Sequence, residues 1–406
     1  MGSIGKKYIA PFVIVTSLFL LWGLANNMTD TLLSAFKRIM NMSDTQTSLI
    51  QFSFYGSYFC FALPAAVFIS RYSFKSGIIL GLILYSLGAM LFLPAAYAAS
   101  YPFYLIAIYI MAGGCSILET TANPYILSMG SPETATRRLN IAQSFNPIGS
   151  IAGILISKYF ILKDISLYSI SGTYASLGIL LVFILLVIAF VKMPGGRDSN
   201  RRNGMKESFS RLLGNRLYRS GVIAQFFYVG AQIGVWSFTI RIVMQELGVK
   251  EAEASSIYLI TIIGFCLSRF IYTILMKWIS PSRLLAAGGL LSALMAITVA
   301  ATPGSGFLLI TALVLISFFM SLMFPTIYGL ALGEIAESEH PDDAKIGASG
   351  LIMAILGGAL ITPFQGFISD RFSIYASYLI PAVCFIVVTS FAFYAVQTEK
   401  RIKYGE

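Results

Sequence analysis

The chain has 406 residues, of which 57% are hydrophobic and only 11% charged. A soluble globular protein carries about 25% charged residues, so this composition excludes water as the solvent for most of the chain and points to a lipid bilayer. The formal net charge of +10 raises nucleic acid as a partner, but its placement along the chain argues for membrane topology and no nucleic acid.

A spanning helix needs about 20 mostly apolar residues. Twelve stretches qualify, at roughly 9–36, 47–70, 76–98, 102–129, 138–161, 169–192, 217–244, 254–277, 283–302, 306–332, 346–368 and 374–396. The first contains LFLLWGLANNMTDTLL, residues 18–33. Trp22, Asn26 and Asp30 are four apart and share one helix face, with Asn27 beside it. A carboxylic acid inside hydrocarbon is costly and as a rule functional. An indole face above amides suits a sugar, because the ring stacks while the amides donate and accept. The alternative is that the Asn side chains tie helices together and Asp30 pairs with Lys37 or Arg38.

The fourth stretch carries GGCSILETTANPY, residues 113–125. Glu119 falls near mid-bilayer, where desolvation penalises its charged form and makes protonation a usable state. Gly113 and Gly114 allow close helix approach, and Pro124 frees a backbone carbonyl. The alternative is a structural ion pair between Glu119 and Arg269, the lone base placed mid-span, which also makes Arg269 a candidate gate. In the fifth stretch Asn140, Gln143 and Asn146 are spaced three apart. Gln143 and Asn146 suit sugar hydroxyls, or serve as glue between helices; Gly149 and Gly153 read as packing.

Residues 192–216 are polar, basic and glycine-rich, and read as a cytoplasmic linker between two six-helix bundles, 1–191 and 217–406. In the seventh stretch Gln225, Tyr228, Gln232 and Trp236 form one aromatic and amide face. The tenth offers Phe324 and Tyr328, the eleventh Thr362 and Gln365. The halves repeat: WGLAN at 22–26 aligns with YVGAQ at 228–232 at an offset of 206, Gly149 falls near Gly357, and Pro124 and Pro325 occupy like positions. An all-α membrane fold of two bundles related by a pseudo-two-fold axis along the membrane normal follows. With both termini in the cytoplasm, most of the 28 Lys and Arg residues lie inside, among them Arg71, Lys75, Arg137, Arg138, Arg201 and Arg202, as the positive-inside rule requires.

Cys60, Cys115, Cys266 and Cys384 each lie in an apolar run and read as buried hydrophobes. The one histidine, His340, sits in a polar loop. Metal sites, Ser-His-Asp chemistry and a Walker A sequence are not supported, so no metal and no cofactor are expected. The N-terminal stretch reads as an uncleaved anchor.

Together LWGLANNMTDTLL, ILETTANPY, LNIAQSFNPIG and QFFYVGAQIGVWS resemble the fucose permease branch of the fucose–galactose–glucose:proton symporters, within the major facilitator superfamily. The resemblance runs from the first span into the twelfth. It implies two bundles around a central cavity that opens alternately to each side. It implies a proton-carrying acid at Asp30, an acid at the sugar site at Glu119, and sugar contacts at Trp22, Asn26, Asn27, Gln143 and Asn146. Glu119 stands where glucose/galactose-type members usually have Gln. The chain departs from the pattern at Phe324, where the branch has Tyr, and in FISRYSFKSG, which lacks the Asp of the superfamily's usual signature.

The expected function is a monomeric, multi-pass symporter of the bacterial inner membrane that couples protons to import of L-fucose or a related deoxyhexose or hexose. Its expected sugar contacts are Trp22, Asn26, Asn27, Glu119, Gln143, Asn146, Tyr228, Gln232, Trp236 and Phe324, with Asp30 and Glu119 coupling to protons. The rivals are a glucose/galactose-type symporter, a drug:proton antiporter with fewer cavity amides, and a sugar sensor. An enzyme is not expected, because no span holds a nucleophile and its base.

Overall fold

The computed structural model describes residues 6–42, 44–161, 166–194, 205–337 and 343–404. Among them are helices and turns and no β-strand. Hydrocarbon offers the backbone no hydrogen-bond partner, so each spanning segment satisfies its own. The chain begins with α1 (Ile9–Met40), α2 (Asp44–Arg71), α3 (Phe74–Met90), its short continuation α4 (Phe92–Tyr97), and α5 (Tyr101–Leu127). The fifth span is α6 (Ala135–Gln143) followed by α7 (Asn146–Ile156), and the sixth is α8 (Leu167–Phe190). A short linker helix, α9 (Met205–Gly214), precedes α10 (Arg216–Leu247), α11 (Glu251–Leu275) and α12 (Pro281–Ala301). The tenth span is α13 (Gly306–Met320) with α14 (Met323–Glu337), and the eleventh α15 (Asp343–Met353) with α16 (Gly357–Arg371). The last comprises α17 (Ile374–Ser377) and α18 (Leu379–Tyr404). Among the described residues eleven spans are long and apolar enough to cross a membrane, and the shorter apolar stretch Ile9–Ala25 opens α1. That agrees with the twelve spans expected.

Helix ends follow local chemistry. Ser73 Oγ accepts from the Ser76 N–H at 3.1 Å, Ser166 Oγ from Ser169 at 3.1 Å, and Asn215 Oδ1 from Tyr218 at 2.9 Å. Such caps contribute about 1 kcal/mol each. Gly248, at φ 64°, closes α10 in the left-handed region that glycine occupies without strain.

Five spans read as continuous are broken in the structure: the third at Leu91, the fifth, the tenth, the eleventh, and the last at Tyr378. The breaks in the fifth and tenth spans have a clear cause. Pro147 and Pro325 lie just beyond the fifth-span and tenth-span breaks. Proline has no N–H, and its ring clashes with the carbonyl four residues back. Those carbonyls belong to Gln143 and Ser321. The eleventh span breaks into a 3₁₀ turn at Ala354–Leu356, just ahead of Gly357 and Gly358.

Packing divides the chain into two compact units. The first comprises Met1–Pro132, Phe145–Ser210 and Ile335–Met353; the second comprises Glu133–Ser144, Arg211–Glu334 and Ala354–Glu406. Each includes one half of a broken span, α15 in the first unit and α6 in the second. In the first unit α1 meets α7 backbone to backbone: a Cβ on Gly149 would stand 1.8 Å from the Leu20 carbonyl oxygen, and one on Gly153 2.7 Å from that of Leu24. In the second unit α10 meets α16 in the same way, with 2.0 Å from a Cβ on Gly357 to the Phe226 carbonyl oxygen. Phe226 follows Leu20 at the offset read from the sequence, so the repeat is a repeat of contacts.

The first unit also holds Pro194 and Ser208 of the linker. The Tyr125 hydroxyl donates to the Pro194 carbonyl at 3.0 Å, and the Tyr125 ring stacks on Phe74 at 4.9 Å. Lys345 of α15 sits 5.3 Å above the same Phe74 ring. Ser208 of α9 donates to the Asp343 carboxylate at 2.7 Å. Large apolar side chains remain more than half exposed, among them Ile106, Phe183 and Phe190 in the first unit and Leu290, Phe307 and Phe393 in the second. In water such surfaces would aggregate; in hydrocarbon they cost nothing. The four cysteines are free, and three are buried, but Cys60 is exposed, against the expectation that all four are buried. It shares the lipid-accessible side of α2 with Phe52 and Phe59.

Candidate functional site

In the first unit, Trp22 is buried on α1 with its ring edge-on to Phe19 at 4.4 Å, and its indole N–H reaches no described acceptor. Asn27 is half-buried and donates to the Gly23 carbonyl at 3.2 Å. The side chains of Asn26 and Asp30 lie outside the described residues, as do those of Lys37 and Arg38. Glu119 is buried on α5, and its Oε2 hydrogen-bonds no described group. The Ser116 hydroxyl fastens α5 to α2 there, donating to the Tyr58 carbonyl at 3.1 Å. A buried polar group without a partner costs about 1–3 kcal/mol, a cost that packing alone does not require at Glu119. The Asn146 amide donates to the Phe19 carbonyl at 3.2 Å and ties α7 to α1. A cavity of about 650 Å³ in this unit is lined by Leu24, Met28, Phe160, Thr173 and Leu177 and holds none of these polar groups.

In the second unit, Tyr228 is buried on α10, its hydroxyl meets no described partner, and its ring lies edge-on to Phe324 at 6.4 Å. Gln232 and Trp236 are half-buried on the same helix. The Trp236 indole donates to Ser317 Oγ at 3.4 Å, and its ring meets Phe265 edge-on at 5.0 Å. Gln225 and Gln365 are fully buried, and neither amide bonds a described group. Gln143 is buried at the end of α6. Arg269, 3% exposed, donates from Nε to the Ser321 carbonyl at 2.7 Å and from Nη1 to the Gln143 carbonyl at 3.0 Å. Its guanidinium also lies 4.7 Å from the centre of the Phe265 ring. Within the second unit both of these hydrogen bonds of Arg269 go to backbone carbonyls. A hydrogen bond to a charged group is worth about 1.5–3 kcal/mol.

The structure therefore gathers Gln143, Trp236, Arg269, Tyr228 and Phe324 into one unit, and Trp22, Asn27, Glu119 and Asn146 into the other. Sequence reasoning missed Tyr58, Phe265, Ser317 and Ser321. Tyr58 and Phe265 are aromatics in apolar runs and carry no signal. Ser321 had one: it stands four residues before Pro325. Among the described residues no three His, Cys, Asp or Glu side chains converge as a metal would require.

Residues 15–341 match the Major Facilitator Superfamily. The chain belongs to that family. Among the relatives of this major facilitator, the L-fucose-proton symporter of Haemophilus influenzae is 41% identical, with 96% of this chain and 97% of the relative covered. The L-fucose-proton symporter of Escherichia coli is 36% identical, with 97% and 94% covered. A crystal structure of the major facilitator transporter FucP in the outward conformation superposes with a TM-score of 0.86 at 34% identity, over 96% of this chain and 99% of that one.

Proposed function

We propose that this chain is a proton-coupled symporter that imports L-fucose or a related deoxyhexose or hexose by alternating access. The observation that carries the reading is a carboxylic acid, Glu119, buried in a span with an oxygen that no described group satisfies. It occurs in a chain whose relatives over nearly full length are named L-fucose-proton symporters. A buried acid that exchanges its proton couples a gradient to a conformational change, because its charged form resists enclosure in a low-dielectric interior. The chain is a transporter and not an enzyme.

Asp30 serves mainly in proton coupling. Glu119 serves in both binding and coupling. Trp22, Asn26, Asn27, Gln143, Asn146, Tyr228, Gln232, Trp236 and Phe324 contact the sugar. In this assignment aromatic faces stack on the pyranose ring and amides meet its hydroxyls in both hydrogen-bonding senses. Buried amides at Gln143, Gln225 and Gln365 support sugar over the apolar cargo of a drug:proton antiporter. The protein acts as a monomer in the bacterial inner membrane. Its halves are 1–191 and 217–406, joined by the cytoplasmic linker 192–216, and both termini are cytoplasmic. The membrane potential supplies about 2.3 kcal/mol per charge per 100 mV to an inward-moving proton.

The test is uptake of radiolabelled L-fucose into proteoliposomes with an inward proton gradient, beside D-glucose, D-galactose and a lipophilic cation. L-fucose should accumulate above its equilibrium level, and a protonophore should abolish the excess. Accumulation that persists with the gradient collapsed, or transport of the cation alone, overturns the reading.

A further inference from the structure

The geometry points to Arg269 as a positioning residue for the sugar site: its guanidinium stands in for the two backbone donors that Pro147 and Pro325 remove, and through those bonds and the Phe265 ring it sets Gln143 and Trp236. This rests on the sugar-symporter reading for what the two side chains contact, but its geometry does not. In an unbroken helix the N–H of residue 147 would bond the Gln143 carbonyl, and the N–H of residue 325 that of Ser321. Proline supplies neither. Both orphaned carbonyls end instead on one side chain, at 3.0 Å from Nη1 and 2.7 Å from Nε.

A planar fork with donors fixed at different points can serve two carbonyls from two helices at once; a lysine ammonium is a single point on a flexible stem. The head is held by an aromatic ring as well: the Phe265 ring lies against the guanidinium. The Thr273 hydroxyl donates to the Arg269 main-chain carbonyl at 2.7 Å, within α11 itself. Ser268, one residue before, donates to Ser321 Oγ at 2.6 Å, so the tenth-span break is gripped by two neighbouring residues of α11. Phe265 is one turn back on α11, and its ring also meets Trp236 edge-on at 5.0 Å. The Trp236 indole is fixed in turn by Ser317, one turn before Ser321. The path therefore runs from Gln143 through Arg269 and Phe265 to Trp236 and returns through Ser317 to the break at Ser321. It joins two candidate sugar contacts through a residue assigned no sugar contact of its own.

The experiment uses the full chain in lipid nanodiscs. L-fucose affinity is measured by calorimetry, and indole emission in a Trp278→Phe background, since Trp278 is 74% exposed and outside the site. Arg269→Lys keeps the charge and loses the fork. It should weaken L-fucose binding by about fivefold or more, the scale of coupling between residues in contact. It should also move the part of the emission that Trp236→Phe abolishes. Pro147→Ala restores an N–H to the Gln143 carbonyl, so the double variant should recover part of the affinity and thermal stability lost by Arg269→Lys. A side chain that only fills space gives no such rescue. Phe265→Leu leaves both carbonyl bonds in place and should shift Trp236 emission by itself; it also decides the matter if Arg269→Lys does not fold. Unchanged emission in both variants overturns the proposal, as does full multiplication of the Arg269→Lys and Pro147→Ala losses. If the unaltered protein binds no L-fucose, the sugar reading fails, and emission with the stability rescue still decides on Arg269.

Discussion

A carboxylic acid among apolar residues is the strongest single-residue signal in this chain, and it gives the sharpest functional separation. Glu119→Gln replaces the carboxyl with an amide, which can hydrogen-bond a hydroxyl but cannot ionise. A hydrogen bond to a charged group is worth about 1.5–3 kcal/mol, so this variant should bind L-fucose roughly tenfold or more weakly and lose both exchange and accumulation. Asp30→Asn mimics the protonated acid permanently. It should exchange external for internal L-fucose at close to the unaltered rate, while a pH gradient no longer drives accumulation. Counterflow and gradient-driven uptake, measured side by side in proteoliposomes, check both; full accumulation by Asp30→Asn would remove Asp30 from the coupling role. Glu119, Trp22 and Tyr228 were legible because polar or aromatic groups at helical spacing stand out against an apolar background. The surroundings of Arg269 were not, because its partners are backbone carbonyls, which every residue has. Only the rule that a proline frees the carbonyl four residues back could have singled out Gln143 and Ser321. An amide suited to a sugar also suits a neighbouring helix, and the bond from Asn146 to the Phe19 carbonyl is a contact that spacing alone could not show.

At the scale of elements, twelve apolar stretches were readable because bilayer thickness sets their length. The breaks inside five of them were not, since hydropathy averages over a proline or a glycine pair. The repeat was faint in side chains and clear in backbone: Gly149 on Leu20 and Gly357 on Phe226 are the same helix crossing made twice. A side chain cannot enter a gap of about 2 Å to a carbonyl oxygen, so Gly149→Ala and Gly357→Ala must each push two helices apart. Overpacking of this kind costs about 1–3 kcal/mol and at times more. Both variants should lower the thermal midpoint of the purified protein by similar amounts. Gly56→Ala, where a Cβ would meet nothing within 4 Å, should leave it unchanged. A large loss at Gly149 with none at Gly357 would mean that the two crossings are not equivalent in energy. The contacts of α15 were equally invisible in sequence. Asp343 and Lys345 look like loop charges, yet both are buried in the first unit, one bonded to Ser208 and the other above Phe74.

For the whole molecule, the distribution of charge carries the orientation. Basic residues cluster at the N-terminal end, in alternate loops, along residues 192–216 and at the C-terminal end. Moving each of them across a bilayer against an inside-negative potential is unfavourable, and anionic lipid on the cytoplasmic leaflet attracts them by about 1 kcal/mol per residue near the surface. The even number of spans then sets both termini on one side. Orientation is testable without transport. Cys60 is exposed and free, so a Cys60→Ser background comes first, leaving three buried thiols. Asn203→Cys probes the linker and Lys250→Cys the connection between α10 and α11, where Lys250 is exposed. A membrane-impermeant maleimide should label Lys250→Cys in intact cells and reach Asn203→Cys only after permeabilisation. Labelling of both in intact cells would contradict the assignment of the linker to the cytoplasm. Reversal of the pattern would invert the whole topology, and Asp30, placed toward the outer end of α1 by an outward-running first helix, would then lie on the wrong side to take its proton from outside.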